Sequence, residues 1–325
     1  MFSAKILART VVSNQKVNTL RFDSLGAING VLTLFKTRVL IVATLALMMA
    51  SCAGPQPIKL SDWSLGLETE WIKINGFDLL LLEQPAKNND INAIHIYIEG
   101  DGTPWVKRYL IARNPTPRYP LALALMKQDP QLSFYLGRPC YYQQPEFYKS
   151  LRHQKNPSPC NSHYWTDARY STEVVSLMKD AIKEKVKQLS ITNQSLPIIL
   201  IGHSGGGTLA MLIAQELEAA SGVITIAANM DIDAWTDQQG YSPLKNSINL
   251  ARKIPLRKIP QVHFAGSADE VVPPKINMDL MQKMGRSLSV IEGFDHSCCW
   301  LDKWPVLLKE AEQNLKNQKY PPTVD

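Results

Sequence analysis

From residue 69 onward the chain alternates short apolar stretches with polar breaks. The stretches 69–74 (TEWIKI), 77–83 (FDLLLLE) and 93–98 (AIHIYI) are bounded by Asn-Gly or polar clusters and read as strands. The second and third resemble a hairpin followed by a buried strand. Beyond Gly100 helical and extended patterns alternate. Residues 120–127 (PLALALMK) predict a helix with Pro120 near its first turn, and 132–136 (LSFYL) a strand. Residues 171–189 form a long amphipathic pattern, with Ser171 or Thr172 as cap and Glu173 in the first turn. Strands follow at 198–201, 223–227, 262–265 and 288–291; helices follow at 208–219, 276–284 and from Pro305 onward. Such alternation predicts an α/β fold with a mostly parallel sheet covered on both faces.

Two stretches break the alternation. Residues 137–167 are rich in Pro, Tyr, Cys and Asn, and residues 229–258 contain Trp235, Tyr241 and a Ser-Pro turn. Each follows a predicted strand, which makes them candidate substrate-facing loops. No composition break marks a second domain, so 61–325 reads as a single domain.

The first 51 residues follow a different logic. Lys36 and Arg38 precede an apolar run from Val39 to Ala50 that ends in Ala50-Ser51-Cys52, the pattern of a signal peptide. The small residues before Cys52 resemble a bacterial lipobox, in which the cysteine is lipidated; residues 52–60 then form the lipidated cysteine and a linker. Met49 stands where such a motif usually has Leu, and a plain secretory signal cleaved near Ala53 or Gly54 is the alternative. Ala53, rather than Asp, favours outer-membrane sorting by resemblance to bacterial lipoproteins, so an exported, membrane-anchored protein on the periplasmic face is expected. The segment before Lys36 is long for a signal, and a start near Val31 or Leu32 would give it ordinary proportions. The same segment explains the charge. The chain is +6 overall, but residues 1–51 hold five of those charges, leaving a nearly neutral body without a nucleic-acid-binding signature.

Export changes how the cysteines are read. With Cys52 assigned to lipid, Cys140, Cys160, Cys298 and Cys299 remain, with three possible pairings in an oxidising compartment. Cys140 to Cys160 closes a plausible loop. Adjacent cysteines have Cα atoms about 3.8 Å apart, below the usual disulfide range of about 4.4–6.8 Å, so a Cys298–Cys299 bond would be strained. No CxxC spacing suggests a metal, and no cofactor motif is present.

Candidate chemistry centres on LIGHSGGG, residues 200–207. A strand, Gly-x-Ser-x-Gly and a helix present a serine hydroxyl at the carboxyl edge of a sheet, which makes Ser204 a candidate nucleophile. Serine needs a base to take its proton, and only His263 and His296 follow it. His263 sits inside an apolar strand, where a buried structural histidine is expected; His296 lies in a loop after the last strand and is the candidate base. Asp269, just past the strand 262–265, is the candidate acid, ahead of Asp231, Asp233, Glu270 and Asp295, which suit solvated loop or turn roles. Oxyanion donors are expected from the Gly205 amide and from Glu99-Gly100-Asp101-Gly102, Asp101 first and Gly102 next. His203 occupies the variable position of the turn and reads as structural. Trp105, Tyr141, Tyr142, Trp165, Trp235 and Trp300 lie in loops near these residues and suit packing or an acyl pocket, while Arg113 and Arg118 suit solvated roles or an acidic substrate.

EGDG, GHSGG, GSADEVVPP and GFDH, in this order, resemble the α/β-hydrolase superfamily across nearly the whole mature chain. IYIEGDGTPW, NPTPRYPLALAL, GRPCYY and DHSCCW further resemble a group of exported bacterial α/β-hydrolases. The resemblance implies an eight-stranded fold and a Ser204, Asp269, His296 triad, without naming a substrate. The leading expectation is hydrolysis of a small-molecule or lipid carboxylic ester through an acyl-enzyme. A peptidase, amidase or thioesterase of the same fold, or a non-catalytic binding lipoprotein, are the alternatives.

Overall fold

The computed structural model describes residues 63–87, 91–143, 159–189 and 196–318. The apolar segment before Cys52, Cys52 itself and the spacer after it lie outside the described residues. Strands β1 (Glu68–Ile74) and β2 (Phe77–Gln84) form an antiparallel hairpin through Asn75 and Gly76, both at positive φ as a two-residue hairpin turn requires. The hairpin therefore lies one stretch earlier than the pattern suggests. Strand β3 (Ile94–Ile98) does not pair with β2, because β6 (Leu132–Leu136) inserts between them. The sheet continues through β7 (Ile198–His203), β8 (Ala220–Ile226), β9 (Gln261–Gly266) and β10 (Ser289–Ile291), in the order β1-β2-β6-β3-β7-β8-β9-β10. Only β2 runs against the other seven. Every residue of β3, β7 and β9 is buried, so both faces of these strands are covered, and their polar residues His95, His203, Gln261 and His263 find hydrogen-bond partners inside.

Among the described residues, six helices accompany the sheet: α1 (Leu121–Met126), α2 (Thr172–Leu189), α3 (Gly205–Glu216), α4 (Ile232–Gln239), α5 (Lys275–Lys283) and α6 (Trp300–Asn317). On β8, Gly222 faces Leu315 of α6, whereas Thr225 faces Gly207 of α3. Side chains of opposite parity leave a strand on opposite faces, so α3 and α6 cover the two sides. Helix α2 packs on α3, and α1 packs on α6.

Three elements depart from the sequence pattern. Helix α3 begins at Gly205, three residues before the expected start, and α6 begins at Trp300 rather than Pro305. Trp300 and Trp304 extend the buried stripe of Leu307, Leu308, Ala311 and Leu315 two turns upstream, and that burial carries the helix through the proline. The stretch 229–258 contains α4, capped where the Asp231 side chain accepts the Ala234 N–H and closed by Gly240 at φ 62°. Outside the main sheet, β4 (Trp105–Val106) and β5 (Leu110–Ile111) form a separate two-stranded ribbon.

The cysteines pair as Cys140–Cys160, with Cα atoms 5.5 Å apart, and as Cys298–Cys299, with Cα atoms 3.7 Å apart. The adjacent pair is thus bonded despite a separation below the usual range.

Candidate active site

The glycines around Ser204 are required by space. A Cβ on Gly202 would collide with the Gly206 carbonyl, and one on Gly206 with the carbonyls of Ile98 and Glu99 at the end of β3. The chain therefore turns sharply from β7 into α3, and Ser204 takes φ 52° and ψ −127°, a conformation that costs a non-glycine residue energy. The Ser204 N–H donates to Ile226 O at 2.8 Å, and its carbonyl accepts the Gly207 N–H at 2.9 Å. Its hydroxyl is left at the carboxyl edge of the sheet, beside the amino end of α3, where the Gly205 N–H has no acceptor within the helix.

Asp269 follows β9 and His296 follows β10. The Ser204 hydroxyl lies 3.0 Å from His296 Nε2, and His296 Nδ1 lies 2.8 Å from Asp269 Oδ2. The other Asp269 oxygen accepts the Val271 and Val272 N–H groups at 2.9 and 2.8 Å, so the buried carboxylate is fixed from both sides. Burial pushes the His296 imidazole below its ordinary 6.5, and the hydrogen bond from Asp269 only partly opposes this. The ring is thus neutral at pH 7, and Nδ1 donates to Asp269 while Nε2 accepts from Ser204. The loop carrying His296 is tied down locally. Asp295 accepts the Ser297 N–H at 2.7 Å, and Trp300 Nε1 donates to the Asp295 carbonyl at 2.9 Å.

The turn after β3 abuts this group: a Cβ on Gly100 would sit 3.1 Å from that of Ser204. Gly102, at φ 65°, packs on the Pro115 carbonyl where any side chain would collide. The Asp101 side chain points inward, under Gly205. Arg138 Nη1 donates to its Oδ1, Arg169 Nη1 to its Oδ2 at 2.8 Å, and the Tyr170 hydroxyl lies 2.7 Å from both oxygens. Tyr141 donates to the Asp101 carbonyl at 3.0 Å. Burial alone would raise the Asp101 carboxyl, but the Arg169 and Arg138 guanidiniums bring it down to about 2. Sequence reasoning singled out the Asp101 amide and missed this carboxylate cluster, because its partners lie 37, 68 and 69 residues away.

A cleft of about 1170 Å³ opens above Ser204 and His296. Both irregular stretches contribute walls, the first through Ser162, His163, Thr166 and Asp167, the second through Trp235 and Tyr241 to Leu244. A third wall, formed by Thr103 to Trp105, Arg108, Tyr109 and Ile111 with Pro117 to Tyr119, was legible only through Trp105 and Arg118. Of the six candidate aromatics, Trp105 and Trp235 line the cleft; Tyr141, Tyr142, Trp165 and Trp300 are buried packing groups. Trp300 belongs to α6 rather than to a loop. Tyr241, in the second irregular stretch, lines the cleft as expected of a substrate-facing loop, and Tyr109 and Tyr119 line it without having stood out in the sequence. Arg113 is exposed outside the lining.

The remaining candidates have local partners. Asp231 caps α4, Asp233 pairs with Arg252 at 2.7 Å, and Asp295 holds its own loop. His263 bonds Thr225 and Gln261 in the core, and burial lowers it to about 3. His203 has more to do than the turn position suggested. Its Nε2 donates to the His296 carbonyl at 2.9 Å, and its Nδ1 lies 3.4 Å from Glu99. Among the described residues, no cluster of His, Cys, Asp or Glu could hold a metal ion.

A mostly parallel sheet covered on both faces, with a serine on a strand–helix elbow and a histidine and an aspartate on later strand ends, is the α/β-hydrolase architecture. The chain belongs to the FSH1 serine hydrolase family, whose profile matches residues 121–297, a span that contains Ser204, Asp269 and His296. Among solved structures it is similar to Est1E from Butyrivibrio proteoclasticus, at 15% identity over 77% of this chain and 99% of that one, with a TM-score of 0.51. A cold-adapted esterase from an Arctic intertidal metagenomic library matches at 12% identity over 77% and 94% of the two chains, with a TM-score of 0.52. An acylaminoacyl peptidase from Pyrococcus horikoshii matches at 11% identity over 80% of this chain and 43% of that one, with a TM-score of 0.50. At these identities the likeness is one of fold. No curated protein sequence matches the chain.

Proposed function

We propose that this serine hydrolase cleaves a carboxylic ester through an acyl-enzyme on Ser204. His296 Nε2 takes the hydroxyl proton as Ser204 Oγ attacks the acyl carbon, then gives that proton to the departing alcohol. Asp269 keeps Nδ1 protonated and stabilises the imidazolium formed in between. The amides of Gly205 and of Asp101 or Gly102 receive the oxyanion. Water, activated by the same imidazole, then attacks the acyl-enzyme and releases the acid. The observation that carries this reading is the unbroken hydrogen-bond path from Ser204 Oγ through His296 to Asp269. An esterase among the proteins of similar fold adds support.

The test is hydrolysis of p-nitrophenyl esters of increasing acyl length, with matched amides alongside, by the parent and Ser204→Ala. Turnover of the esters should fall by about 10⁴-fold or more in the variant. Ester turnover unchanged in a folded Ser204→Ala protein would overturn the assignment, and turnover of the amides alone would move the substrate class to amides.

We also propose that Cys52 is lipidated and anchors the protein to the periplasmic face of a bacterial outer membrane. Support comes from Lys36, Arg38, the apolar run and the small residues before Cys52. Mass spectrometry of the mature N-terminus should find a diacylglyceryl cysteine; a terminus at Gly54 would contradict it.

A further inference from the structure

Residues 105–111 carry an unusual surface. Trp105 stands opposite Ile111 and Val106 opposite Leu110, with Lys107, Arg108 and Tyr109 closing the ribbon. All seven are exposed, Tyr109 at 68% and Leu110 at 53%. A water-facing surface seldom leaves contiguous apolar side chains of this size uncovered. The ribbon has two faces. Trp105 and Ile111, with the turn residues Arg108 and Tyr109, line the cleft above Ser204; Val106 and Leu110, of opposite parity, do not. Substrate contact therefore leaves the outer face unexplained.

The charge here is one-sided. Between Gly102 and Tyr119 the chain carries Lys107, Arg108, Arg113 and Arg118 and no acidic residue. Among the described residues none of these four is engaged in an ion pair. Aromatic and aliphatic side chains interleaved with Lys and Arg suit a lipid headgroup boundary, where the rings and alkyl groups enter the acyl edge and the cations meet anionic headgroups. An acidic protein surface would satisfy the cations, but it would not call for a strip of apolar side chains continuous with the opening of the cleft.

We infer that the β4–β5 ribbon docks the mouth of the cleft on an anionic lipid bilayer and, resting on the ester-hydrolase reading above, that the substrate is an acyl ester drawn from that bilayer. Trp105, Val106, Tyr109, Leu110 and Ile111 enter the headgroup boundary, and Lys107 and Arg108 hold it. The cleft then opens onto lipid instead of water.

Two readouts on the full chain separate this inference from the one it rests on. The first does not need turnover. Hydrogen–deuterium exchange of Ser204→Ala is followed with and without vesicles of phosphatidylcholine containing roughly one-third phosphatidylglycerol. Amides 105–111 should exchange at least about threefold more slowly with these vesicles, and the effect should shrink in pure phosphatidylcholine and in high salt. Because the readout is local, adsorption through the N-terminal segment does not imitate it. Unchanged exchange at 105–111 on bound protein overturns the inference and points to a protein partner for this face.

The second readout compares the parent with Val106→Asp/Leu110→Asp, neither position lining the cleft. Hydrolysis of a water-soluble p-nitrophenyl ester should be kept, while hydrolysis of a long-chain ester embedded in the same vesicles should fall at least about tenfold. Equal vesicle rates in parent and variant overturn the inference. A parent that turns over neither substrate while its ribbon is protected by vesicles refutes the ester reading and leaves the docking surface standing.

Discussion

Replacing Asp101 with asparagine removes a charge that two buried guanidiniums share. The Arg138 side chain is 1% exposed and that of Arg169 6%, so neither can recover its lost partner from water. The native carboxyl sits at about 2 against 3.8 for a free side chain. That gap corresponds to roughly 2 kcal/mol of folded-state preference for the charged form. Leaving a buried ion without its partner costs about 3–5 kcal/mol, and the amide retains one acceptor, so a loss of about 2–4 kcal/mol is expected. For a domain of this size that is a fall in Tm of about 5–15 °C. The pH dependence gives an independent check. A carboxyl held below its unfolded value contributes its full stabilisation above about 3.8 and loses it as pH falls toward about 2. Thermal melts of the parent should therefore steepen through that window, and those of Asp101→Asn should be flatter there. Because the same carboxylate fixes the turn whose Asp101 and Gly102 amides are proposed as oxyanion donors, kcat should drop by about tenfold or more. A Tm within about 1 °C of the parent, with the same acid limb, would refute the reasoning.

Three further outcomes follow from the same geometry. The acid limb of kcat/KM should lie below 6.5, because burial lowers His296 and only its neutral form accepts the Ser204 proton; Asp269→Asn should move that limb lower still and cut kcat by about 10³–10⁴-fold, as pH–rate profiles would report. Gly206→Ala should lose about 1–3 kcal/mol or more in urea melts, since its methyl group would meet the carbonyls of Ile98 and Glu99. Opening the Cys140–Cys160 link with paired serine substitutions should cost about 3 kcal/mol for a loop of this length, measured by denaturant melts against the oxidised parent.

The strands and the elbow were legible because their signals are local. β3, β7 and β9 are short stretches rich in apolar residues, and Gly202, Gly205 and Gly206 flank a serine between a strand and a helix. Ser204, Asp269 and His296 each stand at a strand end that the pattern already marked. What escaped the sequence depends on contacts between distant residues. Gly205 to Gly207 read as turn because glycine is a poor helix former; they open α3, and they are glycine because larger residues would strike β3, Ala228 and Asp101. Pro305 marked a helix start, yet burial of Trp300 and Trp304 begins α6 five residues earlier. Tyr141, Tyr142 and Trp165 are indistinguishable in sequence from Trp105 and Trp235, and only the fold sorts core from cleft. The Asp101 cluster likewise exists only once β3, the turn after β6 and the start of α2 converge.

The central claim is that His296 activates Ser204 as a nucleophile. Its most direct test is covalent labelling with a fluorophosphonate, which reacts with a serine only where a neighbouring base activates it. The folded parent should carry one adduct, located by peptide mass spectrometry on Ser204, with none in Ser204→Ala and strongly slowed labelling in His296→Ala. A folded parent that remains unlabelled at Ser204, or an adduct that persists at the same rate in Ser204→Ala, would contradict the account.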